Sequence, residues 1–108
     1  MKQVTFIGYG NIGSALAHLI GYRAHVCAWD TDPEKIIGGV QSMQEAVQGA
    51  DVVFLCVPSW VIRDLAKELS VIISEKTVVI SLAKGLEAGT YKTMDVVLEE
   101  SLKSHQPS

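Results

Sequence analysis

A chain of 108 residues, 48% hydrophobic and 19% charged, is long enough to bury a core and too apolar to be a mostly disordered segment. Its formal net charge of −3, with lysines and arginines scattered, excludes a polybasic surface for nucleic acid or anionic lipid. Apolar runs such as VVFLCV are of strand length, so no membrane span is expected, and the glycine-broken N-terminus lacks the layout of a signal peptide.

In chain order, Val4 to Ile7 is an apolar run closed by glycine, which predicts a buried strand. From Asn11 to about Ile20 the apolar residues Ile12, Ala15, Leu16 and Leu19 follow the helical spacing, and Gly21 can close that helix. HVCAWD predicts a second strand. DTDP follows, with Asp32 as a helix cap and Pro33 as a first helical residue, so a short helix is expected to stop at Gly38-Gly39. Val40–Gln41 is the place for a minimal third strand. Ser42 and Glu45 have capping-box spacing for a helix ending near Gly49.

DVVFLCVP has no polar alternation, the mark of a parallel strand covered on both faces. Ser59 is expected to cap a helix from Trp60 to about Leu69. TVVISLA is the next strand, and Gly89-Thr90 the expected opening of a last helix that runs to about Lys103. SHQPS is expected to be a polar, fraying tail. Alternating strands and helices predict an α/β fold: a doubly wound, mostly parallel sheet of Rossmann type, in a single domain. Read as ending at Ser108, the pattern predicts a sheet truncated after about the fifth strand and its helix. The edge of that strand would then be open to a second copy or a partner domain.

GYGNIG joins the first strand to the first helix. In that position Gly8 permits a tight turn, Gly10 lets the backbone approach a pyrophosphate, and Gly13 lets the helix pack against the sheet. The helix start offers free N–H groups to phosphate, so Tyr9, Asn11 and Ile12 are expected to contribute backbone more than side chains. Asp30 closes the second strand, 22 positions after Gly8, where a carboxylate can accept hydrogen bonds from the adenosine ribose. No arginine follows it directly, so NAD is expected rather than NADP. Val57, Pro58 and Ser59 end another strand at the same edge and are expected along the nicotinamide. Trp60 is open to two readings, a core residue or a lid. Lys84 is either a solvated loop lysine or a cation for an anionic substrate, and Glu87 shares the ambiguity. Cys27 and Cys56 lie in apolar runs and read as free thiols of a reducing cytoplasm. No metal-ligand spacing is present.

FIGYGNIGSALAHLI, AWDTDPEKI, ADVVFLCVPSWVIRDLAKEL and VVISLAKGLEAGTYKTMDVVLEE, in that order, resemble the N-terminal domain of NAD-dependent glycerol-3-phosphate dehydrogenase. The glycine motif is shared with pyrroline-5-carboxylate reductases and the 6-phosphogluconate dehydrogenase type; the KGLE-x-GT segment is the more specific part. The resemblance covers about Lys2 to Ser101. It implies hydride transfer between NADH and dihydroxyacetone phosphate, a phosphorylated three-carbon substrate. It also implies cofactor contacts at the glycine turn and Pro58, and places Lys84 as a catalytic residue at the substrate edge. Two departures stand out. The stretch between Asp30 and Asp51 is shorter than in that family, and the family's helical substrate domain, with its principal catalytic lysine, is not in this sequence. Inactivity of the chain alone is therefore expected. The alternatives are a stand-alone NAD(H)-sensing module, or part of a related reductase.

Overall fold

The computed structural model describes residues 2–8, 10–21 and 23–102, and for Asn11 and Ile12 the backbone only. The expected tail after Lys103 and the expected contribution of Tyr9 lie outside the described residues. Four parallel strands form one sheet: β1 (Lys2–Ile7), β2 (Ala24–Trp29), β3 (Val52–Leu55) and β4 (Val78–Ser81). Their spatial order is β2-β1-β3-β4. Helix α1 (Asn11–Ile20) leads from β1 to β2, and α3 (Ser59–Leu69) leads from β3 to β4. A short α2 (Met43–Val47) lies between β2 and β3, and α4 (Met94–Ser101) follows β4.

Alternation along the strands divides the core in two. Val4 and Phe6 point to one face, where they pack with Ala24, Ala28 and Ala17 of α1. Ile7, Val53, Leu55 and Val79 point to the other, against Ile62, Leu65, Ala66 and Leu69 of α3 and Val97 and Leu98 of α4. Helices on both faces of a parallel sheet are the doubly wound arrangement expected from the alternation of elements. On the α1 face Phe54 stacks on Phe6 at 5.1 Å between ring centroids, while Val52, Phe54, Val78 and Ile80 remain half-buried. Thr5, between Val4 and Phe6 in sequence, is a polar residue buried on the opposite face, and its hydroxyl is satisfied. It donates to the Ala46 carbonyl at 2.5 Å and lies 3.1 Å from Cys27 Sγ, which ties α2 to the sheet.

Chain direction sets where a ligand can enter. The first crossover goes from β1 to β2 on one side; the next returns past β1 to β3. The two carboxyl ends therefore part between β1 and β3, the topological switch point at which open α/β sheets bind ligands. Register sharpens this. Ile7 pairs with both Trp29 and Leu55, and Leu55 with Ser81, so the four strands end in one row. The residues that follow, Gly8, Asp30, Cys56 and Leu82, leave the sheet at the same level. Three backbone bonds hold that row: Gly8 N–H to Trp29 at 2.8 Å, Cys56 N–H to Ile7 at 2.8 Å, and Leu82 N–H to Leu55 at 2.9 Å.

Four local expectations are corrected. Val40–Gln41 is not a strand. Gly38 and Gly39 take φ of +95° and +69° and turn the chain, and Ile37 makes a single antiparallel bridge to Ala28 instead. Asp32 does cap the turn at Pro33, accepting from the Glu34 N–H, but the result is one 3-10 turn, Pro33–Lys35. Ser59 is the first residue of α3 rather than its cap, because the Val61 N–H already bonds the Pro58 carbonyl at 3.0 Å. The last helix begins at Met94, not at Thr90. Residues 86–93 fold back on themselves first, with Leu86 bridged to Thr93 and the Glu87 N–H on the Lys92 carbonyl at 2.8 Å. The Ser42 cap is as expected, accepting from the Glu45 N–H at 3.1 Å. No helix among the described residues is long and apolar enough to cross a membrane.

Candidate functional site

A cavity of about 650 Å³ opens at the row of carboxyl ends, within the size range of small-molecule and cofactor sites. The glycine turn supplies Gly8 and Gly10; β2 and its exit supply Trp29, Asp30 and Thr31. Cys56, Val57 and Pro58 of the β3 exit form the opposite side. One face of α3, Val61, Leu65 and Glu68 at helical spacing, makes a further wall, and Lys35 and the start of α2 complete it. Along α3 the lining is apolar at Val61 and Leu65 and charged at Glu68, and it is polar at the β2 exit.

The glycines divide the labour as their positions demand. Gly8 has φ +77°, and a Cβ there would lie 2.7 Å from Val57 Cγ1 and 2.9 Å from the Cys56 carbonyl oxygen. The turn from β1 into α1 therefore needs glycine both for conformation and for the close approach of the β3 exit. Gly10 is different: its φ is negative, and a Cβ would meet nothing within 4 Å. Among the described residues no close contact requires glycine at that position, and a methyl group there would stand in open space at the cavity. At Gly13 a Cβ would meet Cys56 Sγ at 3.1 Å and Phe6 Cδ2 at 3.5 Å, which is the helix-to-sheet packing role.

The start of α1 is electrostatically prepared for an anion. Gly10 is its cap, with no side-chain capping bond and no acidic residue in the first turn. The first N–H groups of a helix have no partner within it, and the helix dipole places partial positive charge there. Asp30 stands at the neighbouring strand end. Its Oδ1 accepts the Asp32 N–H at 2.8 Å, which fixes the carboxylate relative to the turn. The Cys56 thiol is pushed up to about 11 by burial, so it stays protonated near neutral pH.

Gly8, Gly10, Asp30, Val57 and Pro58 are thus brought together around one cavity. Ser59 is half-buried behind it at the head of α3, Gly13 supports it from the second row, and Asn11 and Ile12 lie in the first turn of α1. Lys84 is exposed after β4 and is not among the residues lining the cavity. Trp60 is 79% exposed, so it is not a core residue.

Glu87 has a structural partner. Its carboxylate receives Arg63 Nε at 2.6 Å and Nη2 at 2.8 Å, and the Thr90 hydroxyl at 2.6 Å. Arg63 also reaches Glu100 at 3.0 Å, and Glu100 pairs with Lys92. The Arg63 hydrogen bonds, then that of Thr90, hold the Glu87 carboxyl down near 2. This network pins the segment carrying KGLE to α3 and α4. Sequence spacing did not single out Arg63, since nothing local relates it to a residue 24 positions away. Nor did it single out Lys35, Ser42 or Leu65 as cavity residues, although the i, i+4, i+7 series Val61, Leu65, Glu68 was available as a signal. Among the described residues no group of histidine, cysteine and acidic side chains could hold a metal ion.

Comparison with known proteins agrees with this geometry. Residues 34–108 match the family model described as the NAD-dependent glycerol-3-phosphate dehydrogenase N-terminus. A glycerol-3-phosphate dehydrogenase [NAD(P)+] of Fusobacterium nucleatum is 32% identical over 129 residues, covering 99% of this chain and 38% of the relative. That of Clostridium perfringens strain 13 is 30% identical, covering 98% of this chain and 39% of the relative. The chain therefore spans about two fifths of the length of these relatives. The crystal structure of glycerol-3-phosphate dehydrogenase from Coxiella burnetii superposes with a TM-score of 0.80 at 18% identity, over 98% of this chain and 38% of that one. Prephenate dehydrogenase from A. aeolicus, crystallised with NAD+, gives 0.75 at 24% identity, over 94% of this chain and 38% of that one. At such identities the structural likenesses establish the fold alone, a doubly wound α/β sheet.

Proposed function

Because the chain belongs to the NAD-dependent glycerol-3-phosphate dehydrogenase N-terminal family, we propose that its cavity holds NAD(H). The pyrophosphate lies over Gly8 to Gly13 at the start of α1, the adenosine ribose at Asp30, and the nicotinamide toward Val57 and Pro58. The observation that carries this reading is Gly10. Among the described residues outside its chain neighbours, nothing lies within 4 Å of a would-be Cβ on this glycine at the cavity, as at a backbone that must approach a ligand closely. NAD is preferred to NADP because the Asp30 carboxylate accepts ribose hydroxyls and repels a 2′-phosphate.

In this reading the domain serves hydride transfer between NADH and dihydroxyacetone phosphate, and Lys84 belongs to the substrate edge. The residues lining the cavity bind and orient the dinucleotide. Among the described residues, the ionisable group lining the cavity beside Val57 and Pro58 is the Cys56 thiol, which burial makes a poor proton donor. The 108-residue chain alone is therefore proposed to bind NADH and to reduce dihydroxyacetone phosphate negligibly. A second reading, an NAD(H)-sensing module without chemistry, is favoured by one observation: Lys84 is exposed and apart from the cavity lining. The two free cysteines suit a reducing, cytoplasmic setting for either.

Fluorescence tests the proposal. In a Trp60→Phe variant the emission comes from Trp29, which lines the cavity, and NADH should quench it saturably. Absence of both quenching and calorimetric heat with NADH would remove the reading. Steady NADH oxidation with dihydroxyacetone phosphate by the chain alone would contradict its inactivity.

A further inference from the structure

One cation lines the cavity among the described residues: Lys35, near the β2 exit that also contributes Asp30 and Thr31. We propose that Lys35 sets how strongly this chain discriminates against NADPH, by receiving the 2′-phosphate at the rim beside Asp30. The proposal rests on the reading above, that the adenosine ribose lies at Asp30.

Local structure brings Lys35 there. Asp30 Oδ1 accepts the Asp32 N–H at 2.8 Å, and Asp32 Oδ1 accepts the Glu34 N–H at 3.0 Å. The Lys35 N–H then bonds the Asp32 carbonyl at 3.0 Å. These three bonds fold residues 30–35 into a tight turn, so a side chain five residues beyond Asp30 returns to the cavity that Asp30 lines. Lys35 is exposed and is in no salt bridge among the described residues. Its ammonium is thus available on a flexible stem, as a point charge suited to phosphate. Two hydroxyls share the rim, those of Thr31 and Ser42. The Ser42 oxygen already accepts from the Glu45 N–H, and its own proton remains to donate.

Charge decides the sense of the effect. A phosphate monoester carries between one and two negative charges near neutral pH. The carboxylates of the lining, Asp30 and Glu68, repel such a group, and Lys35 offsets part of that repulsion. NADH has no 2′-phosphate and gains nothing from Lys35. The residue therefore acts on the ratio of the two affinities rather than on dinucleotide binding as such.

Dissociation constants for NADH and NADPH are to be measured by calorimetry on the full 108-residue chain and on Lys35→Ala and Lys35→Arg. Lys35→Ala should weaken NADPH by about tenfold, the scale of one charge-assisted contact at a wet rim. NADH should stay within about twofold, and Lys35→Arg should keep NADPH near the starting value. The simpler pair 2′,5′-ADP and 5′-AMP should repeat the pattern. Equal loss for both dinucleotides would place the ammonium on the pyrophosphate and overturn the proposal. So would no change for either, or an unaltered chain that binds NADH without measurable NADPH binding. An unaltered chain that binds neither would instead remove the dinucleotide reading beneath it.

Discussion

Two glycines two positions apart should respond to the same substitution in opposite ways. Gly10→Ala places a methyl group where no described residue beyond its chain neighbours lies within 4 Å, at a residue with φ −84° and ψ −166° that alanine adopts freely. Restricting the unfolded chain contributes about 0.4–1 kcal/mol, which alanine's poorer fit at a helix cap offsets. Thermal stability should therefore change little. The same methyl group would stand between the backbone and a pyrophosphate, so NADH affinity should fall by at least about tenfold, or ~1.4 kcal/mol. Gly8→Ala should do the reverse in order of severity. Its φ of +77° costs a side chain roughly 1–2 kcal/mol. A Cβ 2.9 Å from the Cys56 carbonyl oxygen and 2.7 Å from Val57 forces the β3 exit aside, adding about 1–3 kcal/mol of overpacking. For a domain of this size, a total near 3 kcal/mol lowers the melting temperature by roughly 12–24 °C. Circular dichroism melts and NADH calorimetry on both variants read the two effects separately. A Gly10→Ala protein that melts normally and binds NADH as before would refute the reasoning, because no pyrophosphate could then lie against the Gly10 backbone.

Asp30→Ala should weaken NADH by about tenfold through the lost ribose hydrogen bonds, and weaken NADPH less, as paired titrations would show. Glu87→Gln should lower thermal stability at pH 7 but not at low pH. The carboxyl is held down from its ordinary 4.5 to about 2 by Arg63 and then Thr90, so its contribution is full above pH 4.5 and is lost as pH falls toward 2. Melting curves across that window should show the gap between the variant and the parent closing; a gap of constant size would argue against the ion pair as its source. Leu69→Ala, at a fully buried position under α4, should cost about 2–5 kcal/mol, measurable by urea unfolding. The Cys56 thiol, held at about 11 by burial, should react slowly with a disulfide reagent at pH 7 and more slowly still with NADH bound. Fast, cofactor-independent labelling would contradict its position in the cavity.

Much of the architecture is legible because it is local. The run Val4–Ile7, the continuous VVFLCV and the period of α1 each declare their element, and the alternation of elements makes a parallel, doubly wound sheet nearly compulsory. GYGNIG and Asp30 are legible as a pair because the first crossover has a standard length. The illegible parts depend on register and folding back. Nothing in VQSM shows that Gly38-Gly39 would turn the chain away from the sheet after Ile37 had taken one bridge on β2. Thr90 looks like a helix start, yet the Arg63–Glu87 pair and the Leu86–Thr93 bridge hold that segment as a loop until Thr93. Lys35 looks like one charge in a solvated turn, and two side-chain bonds to backbone, from Asp30 and Asp32, bring it to the cavity rim. In each case a contact between residues distant in sequence, or a chain reversal, overrode or completed a sound local signal.

The central claim is that a dinucleotide lies across the row of strand ends between β1 and β3. Titration of the isotopically labelled chain with NADH, followed through its backbone amide resonances, tests it most directly. Shifts should concentrate at Gly8, Gly10, Gly13, Trp29 to Thr31, Val57, Ser59 and Trp60, and leave Val96 to Ser101 of α4 unmoved. Shifts confined to α4 and the loop before it, or no saturable shifts at all, would contradict the account.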